Sequence, residues 1–170
     1  MKPDKKPVLV FGYSGKKHCG KSTAAHHLEM KLAQQGHLVA RLSFATPIKT
    51  DIAALDSRAL DPEWKEHFRP LFQHWGSLAK ELNGRDYWLN KWEEAWNSYK
   101  AKGYTAVIVD DVRFPFEADF LRSIGGKVIR ILRPDTDSNT DLHESEVMID
   151  KITPDQVIVN KGLEDFLCQV

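Results

Sequence analysis

Pro7-Val8-Leu9-Val10-Phe11-Gly12-Tyr13-Ser14-Gly15-Lys16-Lys17-His18-Cys19-Gly20-Lys21-Ser22-Thr23 is the stretch whose reading decides the fold. Residues 15–22 match G-x-x-x-x-G-K-[ST] in full. The apolar run Pro7–Gly12 before them reads as a buried strand, and Ser22–Ala33 after them reads as a helix with Leu28 and Leu32 four apart. Strand, glycine-rich turn and helix are the context in which this motif binds a polyphosphate. Gly15 and Gly20 let backbone N–H groups curl around the phosphates, and the helix N-terminus adds partial positive charge. Lys21 is placed to bridge the β- and γ-phosphates and Ser22 to hold Mg²⁺. The expected ATP-binding set is therefore Gly15, Lys16, Lys17, His18, Cys19, Gly20, Lys21, Ser22 and Thr23.

Outward from this loop, four further apolar runs are expected as strands: Leu38–Phe44, Ala106–Val109, Lys127–Leu132 and Gln156–Val159. Val and Ile dominate the last three, as in strands buried on both faces of a parallel sheet. Helices are expected over 23–35, 45–55, 64–82, 86–101, 116–123 and 162–168, several closed by glycine. Strands alternating with helices predict a parallel α/β sheet with right-handed crossovers. No repeat or linker divides the chain, so residues 1–170 are expected as one domain with a helical insert at about 45–104. Trp64, Trp75, Trp88, Trp92 and Trp96 all fall in that insert. Trp88, Trp92 and Trp96 recur every four positions, one apolar stripe of a helix.

The chain has 170 residues, 42% of them hydrophobic, and carries 24 basic against 24 acidic side chains. That composition suits a packed core and supplies no global field toward nucleic acid or membrane. Two cysteines, Cys19 and Cys168, make neither a disulfide framework nor a metal cluster. No segment approaches the roughly 18 apolar residues of a membrane span, so a reducing, cytoplasmic setting is expected.

Chemistry concentrates after the third strand, in Asp110-Asp111-Val112-Arg113-Phe114-Pro115. Carboxylates at a strand end beside the phosphate loop can organise Mg²⁺. Adjacent residues of an extended chain point oppositely, so one of Asp110 and Asp111 faces the metal and the other braces a loop. The candidate metal set is Ser22, Asp110 and Asp111. Arg113 can hold an acceptor phosphate with both arms of its guanidinium. In the insert, Arg69, Lys80 and Arg85 flank Gln73-His74-Trp75-Gly76-Ser77 and suit a second phosphate site, with Trp75 available to stack on a base. Residues 133–146 are polar and read as a lid-like loop. His143-Glu144-Ser145-Glu146 lacks a convincing ligand set and reads as helix capping with lid docking.

Over nearly its whole length the chain resembles the bacteriophage deoxynucleoside monophosphate kinases, within the wider P-loop kinase group. The resemblance is carried by residues 15–23, Phe44-Ala45-Thr46-Pro47-Ile48-Lys49 and Leu71-Phe72-Gln73-His74-Trp75-Gly76. It continues in Asp111-Val112-Arg113-Phe114-Pro115-Phe116-Glu117-Ala118, Ile131-Leu132-Arg133-Pro134, His143-Glu144-Ser145-Glu146 and Ile158-Val159-Asn160-Lys161-Gly162. The resemblance implies a P-loop NTPase-type three-layer α/β/α fold with a five-stranded parallel sheet and an acceptor-binding helical insert. It further implies Arg113 on the nucleotide phosphates, Asp111 as part of the same site, and Lys49 and Lys80 near the acceptor. Arg133 would contact the donor ATP, and Asn160 would lie near its adenine. The catalytic set is then Lys21, Arg113, Asp111 and Arg133, and the acceptor set Lys49, Arg69, Trp75, Lys80 and Arg113. Phe116 and Lys80 stand where the family commonly carries Asn and Arg.

The reaction expected is ATP plus a dNMP giving ADP plus a dNDP, with Mg²⁺, in the cytoplasm of a bacterial host. ATP and the dNMP are the expected partners, nucleic acid and membrane are not, and a homodimer is reasonable. An acceptor phosphate is already anionic near neutral pH, so transfer needs positioning and charge neutralisation more than a base. Two rivals stand beside it. One is a P-loop kinase acting on a hydroxyl of a nucleoside, a small metabolite or a modified DNA base, with Asp110 or Asp51 as base. The other is a non-enzymatic NTP-binding regulatory module.

Overall fold

The computed structural model describes residues 8–134 and 144–170. In chain order its elements are β1 (Leu9–Ser14), α1 (Lys21–Gln34), β2 (Val39–Arg41) and α2 (Thr46–Ala53). Two short 3-10 turns follow, Ser57–Leu60 and Pro62–Trp64, then α3 (Lys65–Asn83) and α4 (Tyr87–Ala101). The chain continues with β3 (Ala106–Val112), α5 (Pro115–Ser123), β4 (Lys127–Leu132), α6 (Glu144–Ile149), β5 (Gln156–Val159) and α7 (Leu163–Gln169). Packing divides these into two compact units, residues 1–43 with 99–170, and residues 44–98.

The first unit is the α/β/α body. Its five strands run parallel in the order β2-β3-β1-β4-β5. Ala106, Val107, Ile108 and Val109 are all buried, as a strand covered on both faces must be. On one face Tyr13, Ile108, Ile129, Ile131 and Ile158 pack with Ala24, Ala25, Leu28 and Leu32 of α1 and Phe166 of α7. On the other, α5 packs against β1 and β4. This order puts β1, which feeds the phosphate loop, between β3 and β4, so both neighbours deliver their C-terminal ends beside the loop.

The expected helices keep to within about two residues of the sequence reading, whereas three strands differ from it in extent. β1 continues to Ser14, immediately before the loop. β2 shrinks to three residues, although Leu42 N–H still donates to Ile108 O at 3.1 Å. β3 continues past Val109 through both aspartates to Val112, because Ser14 pairs with Val112 after a register shift between Gly12 and Ser14. Aspartate is a poor strand former, and here ladder pairing overrides that preference.

The second unit is helical. α2 opens with Pro47 in its first turn, where a missing N–H costs nothing. Asp56 and Asp61 cap the two 3-10 turns by accepting the N–H groups of Arg58 and Glu63. The Trp88, Trp92 and Trp96 stripe of α4 is buried. Trp88 Nε1 donates to Gly76 O of α3 at 2.8 Å, and Trp92 lies 5.4 Å from Phe44. Packing therefore accounts for the stripe. Among the described residues no helix is long and apolar enough to cross a membrane.

Candidate active site

The phosphate loop is built by backbone conformations that few residues tolerate. Gly15 and Gly20 have φ of 151° and 111°. A Cβ at Gly15 would lie 2.4 Å from Ile131 O, and one at Gly20 would lie 2.8 Å from Asn160 Nδ2. Only glycine fits either place. His18 is also left-handed, at φ 64°, an arrangement that costs a non-glycine residue about 1–2 kcal/mol. Such strain persists where neighbours over-determine it. Arg133 Nη1 donates to His18 O at 3.4 Å, and Asn160 Nδ2 donates to Cys19 O at 2.9 Å. The residues immediately after β4 and β5 thus brace the loop through its carbonyls, leaving its outline to N–H groups suited to an anion.

Lys16 and Lys21, two of the loop's three lysines, make hydrogen bonds through their ammonium groups. Lys21 Nζ donates to Gly15 O and Lys16 O, both at 2.7 Å, and lies 3.8 Å from Cys19 Sγ. Lys16 Nζ donates to Asp150 at 2.7 Å. Burial pushes the Cys19 thiol up, partly offset by the Lys21 charge. A buried neutral thiol is a packing residue rather than a reactive one. Ser22 and Thr23 are exposed in the first turn of α1, and Lys17 is exposed on the loop.

At the end of β3 the aspartates diverge. Asp110 Oδ2 accepts from Arg41 at 2.8 Å and its Oδ1 accepts from Ser43 Oγ at 2.6 Å. Asp110 therefore ties β3 to the β2 side. Asp111 lies near Glu117, the third residue of α5, and Glu117 is buried. Glu117 Oε2 accepts the N–H groups of Arg113 at 2.8 Å and Phe114 at 3.0 Å. This is the reach-back half of a capping box, and it fixes the backbone from which Arg113 projects. Burial first, then the Asp111 charge, raises the Glu117 carboxyl to about 8, against the pull of those two N–H groups and of Arg113.

A Mg²⁺ ion bound with nucleotide phosphates needs only one or two hard oxygen ligands from the protein. The Ser22 hydroxyl and the carboxylates of Asp110 and Asp111 supply that donor type, and the two oxygens of Asp110 also accept from Arg41 and Ser43. Among the described residues no cluster of three His, Cys, Asp or Glu could cage a metal on its own. The residues present fit an ion held jointly with the phosphates.

Residues expected at the acceptor fall in the second unit, except Arg113. Arg69 and Lys80 are eleven residues apart on α3, three turns, and so share a face. Arg69 pairs with Glu66 at 2.6 Å, and Lys80 is exposed. Lys49 is half-buried on α2, and Trp75 Nε1 donates to Asp51 Oδ2 at 3.1 Å, tying α3 to α2.

Asp150 and the Asp110–Arg41 pair were not singled out by sequence, and Glu117 stood there only among the residues that carry the resemblance, without a role of its own. Glu117 had a readable signal, since Pro115 followed two positions later by Glu117 marks a helix start. Most of the lid-like loop, with His143, lies outside the described residues; Arg133 and Pro134 precede that part, and α6 begins at Glu144 after it.

Residues 55–170 match the family described as Deoxynucleotide monophosphate kinase. A segment of 69 residues is 39% identical to the protein named "Putative deoxynucleotide monophosphate kinase" from Acanthamoeba polyphaga mimivirus. That segment covers 39% of this chain and 35% of the relative, about a third of its length. The crystal structure of TT1252 from Thermus thermophilus shares the fold, with a TM-score of 0.53 at 14% identity over 95% of this chain and 93% of that one. With more than half of its length matched, the chain belongs to the deoxynucleotide monophosphate kinase family.

Proposed function

We propose that the chain transfers the γ-phosphoryl group of ATP to the phosphate of a deoxynucleoside monophosphate. The bond from the γ-phosphorus to the β–γ bridging oxygen breaks, a bond to an acceptor phosphate oxygen forms, and ADP leaves with the bridging oxygen. The observation that carries this reading is the phosphate loop, with left-handed Gly15, His18 and Gly20 and with Lys21 opening α1. Lys21 exchanges two carbonyl partners for phosphate oxygens as the nucleotide arrives. Arg113, on a backbone held by Glu117, takes two oxygens of the acceptor phosphate and aligns it for in-line transfer. Ser22 and Asp111 would hold Mg²⁺, which would neutralise charge on the transferring phosphates. Arg133 adds a further cation at the donor side of the loop. Lys49, Arg69, Lys80 and Trp75 are assigned to the acceptor nucleotide.

The test is ADP release with MgATP across ribo- and deoxynucleoside monophosphates, nucleosides and DNA. Release that depends on deoxynucleoside monophosphates is expected. Release that depends only on nucleosides or DNA would make the enzyme a hydroxyl kinase. ATP binding without acceptor-dependent release would make it a regulatory module.

A further inference from the structure

Outside the set of groups just used, one charged cluster of the first unit meets the phosphate loop from the side. Lys16 Nζ donates to Asp150 Oδ2 at 2.7 Å, the lysine largely buried at 17% side-chain exposure and the aspartate exposed at 62%. Arg130 of β4 stands behind it, its Nη1 at 3.7 Å from Asp150 Oδ1. The same guanidinium donates to Ile149 O and, at 3.1 Å, to Ile152 O. It thereby grips the carbonyl end of α6 and fixes the place of Asp150, the next residue after that helix. Arg130 is itself 13% exposed, so this anchor is set in the body of the unit rather than on its surface. A carboxylate fixed beside a loop built for a polyanion opposes the field of that loop. Its presence there calls for a role, and the pairing with Lys16 supplies one.

We infer that Asp150 sets the affinity of the donor site by competing with the nucleotide polyphosphate for Lys16. The inference rests on reading residues 15–22 as the ATP site. Paired with Asp150, Lys16 is neutralised by an internal anion that Arg130 holds in place. A bound triphosphate draws the ammonium from Asp150 to its own oxygens, and the ion pair lost is subtracted from the binding free energy. Arg130 then keeps Asp150 from being left as an unpaired charge beside the phosphates. Asp150 acts through Lys16, so its effect is on donor affinity and requires Lys16 to be present. The device lowers affinity for free nucleotide, which favours release of the product ADP as well as limiting the hold on ATP.

The experiment measures equilibrium binding of MgATP and MgADP to the full chain, its Asp150→Asn and Asp150→Ser variants, Lys16→Met, and the double variant Lys16→Met/Asp150→Asn. A partly exposed ion pair of this kind corresponds to a change of up to about fivefold. Both Asp150 variants are expected to bind MgATP tighter by up to that factor, a gain that structural damage does not produce. Lys16→Met is expected to bind more weakly, and adding Asp150→Asn to it should change affinity by less than about twofold, the additivity error. Weaker or unchanged binding in both Asp150 variants overturns the inference. Equal tightening with and without Lys16 overturns it too, since Asp150 would then act by its own field. If the unaltered protein binds no MgATP, the donor-site reading fails and takes this inference with it; if it binds and the Asp150 variants do not differ, the inference alone fails.

Discussion

Replacing Glu117 with glutamine separates what the carboxyl does as a hydrogen-bond acceptor from what it does as an acid. The glutamine carbonyl can still accept the N–H groups of Arg113 and Phe114, now at 2.8 and 3.0 Å from the carboxylate. Only the ionisation is removed. In the folded chain the group titrates near about 8 against an ordinary 4.5, because it is buried and faces Asp111. A folded value above the unfolded one means that the native state binds the extra proton. The associated stability is complete below about 4.5 and is lost as pH rises through about 8. Within that window the slope is about 1.4 kcal/mol per pH unit, which sets a ceiling of about 5 kcal/mol on the total. The assay is denaturant unfolding of both proteins at intervals from pH 5 to pH 9. The two should be close at pH 5, and the variant should gain on the unaltered protein by several kcal/mol by pH 8, as an order-of-magnitude expectation. A stability difference that stays flat across those pH values would show that Glu117 is ionised throughout, and the burial argument would be refuted.

Lys21→Ala is expected to lower ADP release by several orders of magnitude with little change in melting temperature, since the ammonium contacts Gly15 O, Lys16 O and Cys19 Sγ within the loop itself; near-native turnover would remove the loop from the reaction. Asp111→Asn should raise the Mg²⁺ concentration needed for half-maximal turnover, whereas Asp110→Asn should chiefly lower stability by about 1–3 kcal/mol through the Arg41 and Ser43 contacts; a reversed pattern, read by Mg²⁺ titration and melting, would exchange their roles. Arg113→Lys keeps the charge and loses the planar fork, so the acceptor KM should rise and kcat fall while ATP affinity changes little; unchanged acceptor kinetics in both Arg113→Lys and Arg113→Ala would sink the assignment.

The parts of the fold that follow from local spacing were readable from the chain alone. The G-x-x-x-x-G-K-S match between an apolar run and a helix places the loop, and Val/Ile runs mark the buried strands β3, β4 and β5. The tryptophan period predicts the buried face of α4. What local spacing does not carry is ladder pairing. β3 reaches Val112 only because Ser14 lies beside it across the sheet, and no property of Asp110 or Asp111 announces that. The same holds for the pairs around the site. Lys16 meets Asp150 across 134 positions and Arg41 meets Asp110 across 69, so the partners become visible only once the strands are in order. The contacts of Arg133 and Asn160 show a related limit, since their nearness to the loop follows from the resemblance but their hold on its carbonyls does not.

All five tryptophans lie within residues 44–98, and none lies in the α/β/α body. Intrinsic emission excited at the red edge therefore reports on the helical unit alone, while the peptide signal in far-ultraviolet dichroism averages over both. Trp92 is fully buried and Trp88 is hydrogen-bonded to Gly76 O, so their spectra should shift strongly when that unit opens. Unfolding curves recorded by the two methods on one sample then give a direct reading of cooperativity between the units. Superimposable curves mean a single transition shared by both units, and an emission midpoint at lower denaturant means that the helical unit melts first while the nucleotide loop still stands.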